Sequence, residues 1–134
     1  MRKRMNPEIK AKWVAALRSG EYKQGTCFLK QESDHPHAFC CLGVLCDIAA
    51  KEGIIDWEFQ TWQGRSTWYA SSTKTAQDKD SERLPFCVME WAGLDRLDPD
   101  LMLSDWRRSV RVSELNDRER LGFERIAELI EGQL

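Results

Sequence analysis

The chain has 134 residues, 42% of them hydrophobic, which is enough to bury one real core and too short to expect a second domain. Twenty basic and 22 acidic residues are well mixed, for a net charge of −2. That balance argues against a strongly basic nucleic-acid binder and against a strongly acidic DNA mimic.

Five cysteines are an odd number, and the basic start at Met1 to Arg4 runs into Asn6, Pro7 and Glu8 rather than an apolar signal core. The expectation is a reducing, cytoplasmic setting with free thiols and no membrane span. Residues 1–5 read as a detached polar leader. Asn6 is then a cap, Pro7 suits a first helical turn, and Gly20 stops the helix, whose inward stripe is Ile9, Trp13, Ala16 and Leu17.

Tyr22 to Gln31 alternates enough to predict a strand. The polar Gln31 to His37 then turns the chain back into an antiparallel strand over Ala38 to Leu42. The most apolar stretch follows, Phe39 to Gly53, and it reads as a strand entering a buried helix near Leu42. Gly53 sits just past the helix end, where a left-handed residue is cheapest.

Asp56 to Ala70 carries two aromatic-rich halves around Gln63-Gly64, the pattern of a hairpin with a two-residue loop. In that register Trp62 faces Arg65, Gln60 faces Thr67 and Glu58 faces Tyr69. Trp57, Phe59, Thr61, Ser66, Trp68 and Ala70 then share the other, more apolar face, which is expected in the core.

Ser71 to Glu82 shows no periodicity and is expected to be a mobile loop. Leu84 to Gly93 predicts a short helix with Pro85 in its first turn and Leu84, Val88 and Trp91 inward. Asp95 to Ser109 suggests no regular element, only an apolar anchor at Leu101, Leu103 or Trp106. Val110 to Leu115 alternates like a strand and Asn116-Asp117 like a turn. Phe123, Ile126, Ala127, Ile130 and Leu134 keep helical spacing behind Gly122 as cap. The sum is an α+β fold in a single compact domain, a small antiparallel sheet of hairpins packed against three or four helices.

Chemistry is sparse. Cys27, His35, His37, Cys40, Cys41 and Cys46 include metal-ligating types but no C-x2-C pair, and the apolar setting suits cysteine as a small hydrophobe. His35 or His37 beside Cys40 would make a thiol-imidazole pair only if turn and core met, so no catalytic residue, metal ligand or cofactor is assigned. Arg2 to Arg4 and Arg107, Arg108 and Arg111 are local basic clusters that read as solvated surface. The better candidates are Trp62, Arg65 and Tyr69 on the open side of the hairpin, with Lys74 in the loop beyond. Aromatic rings beside a guanidinium suit an interface, a nucleobase or a phosphate.

Three ordered blocks carry a family resemblance: KWVAALRSGEYKQG at 12–25, FCCLGVLCDIA at 39–49 and LNDRERLGFERIAELIE at 115–131. Together they cover about half the chain, and they resemble a group of small uncharacterised proteins of bacteriophages, prophages and bacterial genomes. Leu121-Gly122 stands before Phe123 where that pattern leads one to expect a Ser or Thr cap, and Glu58 to Glu82 is particular to this chain. The resemblance implies an accessory protein, without catalysis, that binds and blocks a host defence complex in the host cytoplasm. The alternative is a nucleotide sponge or a small enzyme acting on a nucleotide or nucleic acid, with Arg65, Lys74 and the tryptophans around the ligand. A homo-oligomer is the third reading.

Overall fold

The structure is a computed structural model that describes residues 4–32, 37–103 and 108–134, the side chain of Trp62 excepted. His35, Trp106, Arg107 and the basic residues at positions 2 and 3 lie outside that range. Helix α1 spans Pro7–Arg18. Asn6 caps it as expected, its Oδ1 accepting from the backbone N–H of Glu8 and Ile9. Ile9, Trp13, Val14 and Leu17 are the buried stripe, so Val14 takes a place assigned to Ala16. Met5 does not belong to a leader: it is 3% exposed, and the next residue donates its N–H to Ala92 O at 2.8 Å.

The continuous strand expected over Tyr22 to Gln31 is instead two short ones, β1 (Lys23–Gln24) and β2 (Lys30–Gln31). The break falls at Cys27, whose φ of +70° no extended strand can contain. Both short strands flank β3 (Ala38–Phe39), β2 antiparallel as expected and β1 parallel.

β3 feeds helix α2, Cys41–Lys51, which lies at the centre of the core; Cys41 to Cys46, Ile48 and Ala49 are all buried. Its cap is the thiol of Cys40, which accepts from the N–H of Gly43 at 3.4 Å. Gly43 is where α2 touches the backbone of Leu29: a Cβ there would stand 1.7 Å from Leu29 O. The helix ends at Glu52, and Gly53 follows at φ +80°. Trp13 ties α1 to the first turn of α2 through Nε1 to Cys41 O, 2.9 Å.

Strands β4 (Ile55–Trp62) and β5 (Arg65–Ser72) form the expected hairpin in the expected register. The loop expected to be mobile is ordered. β6 (Lys79–Asp80) pairs antiparallel with Ala70 and Ser71, and the carboxylate of Asp78 accepts from Phe86 N and Cys87 N at the start of α3, Phe86–Ala92. Pro85 precedes this helix and Gly93 stops it at φ +75°.

Two expectations fail in the next stretch. Asp100–Leu103 is a strand, β7, antiparallel to β8 at Arg108–Arg111, with Leu101 as the buried anchor. The strand expected from Val110 holds only through Arg111, the end of β8; from there the expected strand and turn are a short helix, α4, Val112–Asp117. Asp98 supplies its trans cap, accepting from Ser113 N at 3.0 Å and from the Ser113 hydroxyl. Alternation over six residues had no way to register a cap delivered from fifteen residues upstream. The last helix, α5, runs Phe123–Gln133 behind Gly122, with Phe123, Ile126, Ala127 and Ile130 buried as its spacing required. It packs along α1, where Arg18 and Glu131 pair at 3.2 Å. The described residues thus hold five helices and three small sheets, one of mixed pairing, an α+β architecture with more helices than expected.

Candidate binding surface on the long hairpin

The register of β4 and β5 decides where each candidate goes. Asp56, Glu58, Gln60, Thr67, Tyr69 and Arg65 share the open face; Ile55, Trp57, Phe59, Trp68 and Ala70 share the other. Only the base of the second face is core: Ile55 and Ala70 are buried, Trp57 and Trp68 are half-buried, and Phe59 is 47% exposed. The expectation that this whole face is core is therefore corrected, because the hairpin is longer than the body it leans on.

What the middle of that face leans on is the first small sheet. The Lys30 ammonium lies 4.0 Å from the Trp68 ring centroid, 5.2 Å from Trp57 and 5.9 Å from Phe39. Burial among these rings draws the Lys30 pKa down, while Asp47 and Glu32 act the other way. Glu32 accepts from Trp68 Nε1 at 2.7 Å, and Asp47 accepts from Trp57 Nε1 at 3.0 Å and from Tyr22 Oη at 2.7 Å. Burial and the Asp47 bond hold the Tyr22 phenol well above its ordinary range. These bonds tie the lower half of the hairpin to the body. Beyond them Phe59 packs against Trp68, ring centroids 4.9 Å apart and the planes tilted by 47°, at the margin of the contact.

Of the four candidates, Arg65 is exposed and Tyr69 is half-buried, its ring 5.7 Å from the Lys79 ammonium. The backbone of Trp62 pairs with Arg65 across the loop. Lys74 does not join them. It lies past the far end of β5, and eight strand residues at roughly 3.3 Å each put about 25 Å between the two ends. Lys74 instead borders a separate hollow of about 250 Å³ with Ile54, Cys87 and Trp91.

Phe59 and Trp68, expected in the core, and Lys30, expected in a plain strand, belong to this surface although no sequence pattern marks them. A cavity of about 560 Å³ lined by Gln24, Cys27, Asn116, Asp117 and Arg120 is likewise unmarked by any motif. Asn116 is 1% exposed and organises that wall. Its amide donates to Gly25 O at 2.8 Å, and its Oδ1 accepts from Gln24 Nε2 at 2.9 Å and from Cys41 N at 3.3 Å. Asp117 accepts from Cys27 N at 2.9 Å and so holds Cys27 in its left-handed conformation. The signal in the sequence was Asn116-Asp117 itself, taken there for a turn.

All five thiols are free. Burial pushes Cys40 up to about 12 and holds Cys41 and Cys46 well above the ordinary thiol range, so these three are poor nucleophiles. Among the described residues no three His, Cys, Asp or Glu side chains are grouped to hold a metal ion, and no helix is long and apolar enough to cross a membrane.

Fold and surface together define an α+β domain with a long two-stranded arm that is anchored at its base and open toward its tip. The chain belongs to the family described as a domain of unknown function, DUF8296, whose model matches residues 5–134. No match was found among curated proteins or among solved structures.

Proposed function

We propose that the protein is a non-catalytic accessory protein of bacteriophage type, which binds and blocks a protein complex of host defence through the outer half of its β4–β5 arm. The observation that supports this reading most is Phe59. A phenylalanine left 47% exposed beside Trp68, with Arg65 exposed nearer the tip, is the composition of an interface centre rather than of ordinary surface. The bonds that tether the lower half of the arm to the body lower the entropy lost on docking. The nucleotide alternative loses its expected ligand set, because Arg65 and Lys74 sit at opposite ends of β5.

The test is recovery of partners from a bacterial lysate by the wild type and by a Phe59→Ala, Arg65→Ala double variant, followed by affinities for the purified component. At least tenfold weaker binding by a variant that melts within a few degrees of wild type is expected. Equal affinity would remove the Phe59 and Arg65 side chains from the interface. A thermal-shift screen with linear and cyclic nucleotides should show no stabilisation, and a rise of several degrees with any of them would favour the nucleotide reading instead.

A further inference from the structure

The edge of the arm has a chemistry of its own. Trp62 and Arg65 close a two-residue loop in which Gln63 and Gly64 have φ of +50° and +79°. Residues flanking such a loop exchange both backbone hydrogen bonds, and bonded and non-bonded pairs alternate from there. Asp56, Glu58, Gln60 and Trp62 therefore turn their N–H and C=O groups toward β5. Trp57, Phe59 and Thr61 turn theirs the other way.

On that other side there is no neighbour. β4 is the outermost strand in the order β4-β5-β6, and among the described residues nothing outside the hairpin bonds to the backbone of Trp57, Phe59 or Thr61. Most of the usual means of blunting an edge are missing from β4. Its pairing is unbroken over eight positions, so there is no bulge, and it contains neither proline nor lysine. The charges it does carry are Asp56 and Glu58, both exposed, on one face, and in no ion pair among the described residues. They discourage acidic strands and favour basic ones.

We propose that β4 is an acceptor edge to which an extended segment of the partner adds as a further strand. That segment has basic side chains at alternate positions facing Asp56 and Glu58, and apolar side chains between them facing Trp57 and Phe59. Backbone bonds to Trp57, Phe59 and Thr61 give it affinity, and the alternation gives it specificity. The proposal rests on the reading of the arm as the contact surface and names the chemistry of what it contacts.

The probes are two seven-residue peptides, one alternating lysine with valine and one alternating glutamate with valine, read by fluorescence anisotropy and by amide hydrogen exchange. The lysine peptide should bind and slow exchange at Phe59 and Thr61 at least tenfold; the glutamate peptide should do neither. Asp56→Lys with Glu58→Lys should reverse that preference. Thr61→Pro removes one outward N–H without changing charge or the backbone bonds to β5; it also loses the exposed hydroxyl bond between Thr61 and Ser66, which Thr61→Val removes alone as the control. The proline variant should abolish binding of the lysine peptide and the valine variant should keep it, with the melting temperature of both within a few degrees of wild type. Slowing of exchange by both peptides equally, or by neither, would overturn the acceptor edge. So would the same protection without peptide together with dimers in light scattering, which would give the edge to a second copy. Failure here with loss of partner in the Phe59, Arg65 double variant would leave the arm as contact and reject strand addition. Success here with that variant still binding its partner would keep strand addition through the β4 backbone and remove the Phe59 and Arg65 side chains from the contact.

Discussion

Gly43→Ala puts the packing of α2 to its sharpest test, because local propensity and tertiary contact predict opposite signs. In an open helix the change gains up to about 1 kcal/mol. Here the added Cβ would lie 1.7 Å from Leu29 O, whereas real Cβ contacts essentially never fall under 3.0 Å, so α2 and the Leu29 backbone must part by more than 1 Å. Neither can yield easily. Leu29 is fully buried and its N–H is bonded to Ser81 O at 2.8 Å, while the first turn of α2 is held by Trp13. Overpacking of side chains costs about 1–3 kcal/mol, and a backbone clash belongs at or above the top of that range. Taking about 3 kcal/mol, and about 2.1 cal/mol/K of unfolding entropy per residue over 134 residues, the melting temperature should fall by about 10 °C. Gly132→Ala in α5 is the control: its Cβ meets nothing within 4 Å, and it should raise the melting temperature by a degree or two. Calorimetry of the three proteins reads both. A Gly43→Ala protein as stable as wild type would refute the close approach.

The buried thiols set a second expectation, for alkaline pH. Folded pKa values raised by burial mean that the unfolded chain loses these protons first, so stability is complete below about pH 9 and falls as pH rises from there toward the folded values. For Cys40 that window runs from 9 to about 12, at about 1 kcal/mol per pH unit. Urea titrations between pH 7 and 10.5 under reductant should show the decline, and Cys46→Ala should make it shallower; an unchanged slope would contradict it. Asn116→Ala leaves Gly25 O without its amide donor and Cys41 N without that acceptor, and should cost about 3 kcal/mol in the same titration. A loss under 1 kcal/mol would mean that water replaces the side chain.

What the sequence made legible was whatever a local signal determines alone. Asn6, Pro7 and the stripe of α1, the two-residue loop at Gln63-Gly64 with its register, and the apolar spacing of α5 all encode their structure within a few residues. What escaped depended on partners far away in the chain. Cys27 breaks a strand because Asp117 holds it, 90 residues on, and α4 forms where Asp98 can cap it. Lys30 looked like one more strand residue until Trp57 and Trp68 arrived beside it. The candidate face was half legible: the pattern placed Arg65 and Tyr69 on the open side, but it could not show that the hairpin outreaches the core and leaves Phe59 uncovered.

The packing of α5 along α1 has a consequence for how the chain is made. Arg18 and Glu131 meet although 113 residues separate them, and Ile126 and Ile130 fill the same core as Trp13 and Leu17. A chain growing on a ribosome can form its hairpin and its central helix as they emerge, since those contacts are local. It cannot close the core around α1 until α5 has been delivered, and until then the face of α1 that α5 covers stays open. Closure of the core therefore waits on a segment more than a hundred residues after the helix it covers.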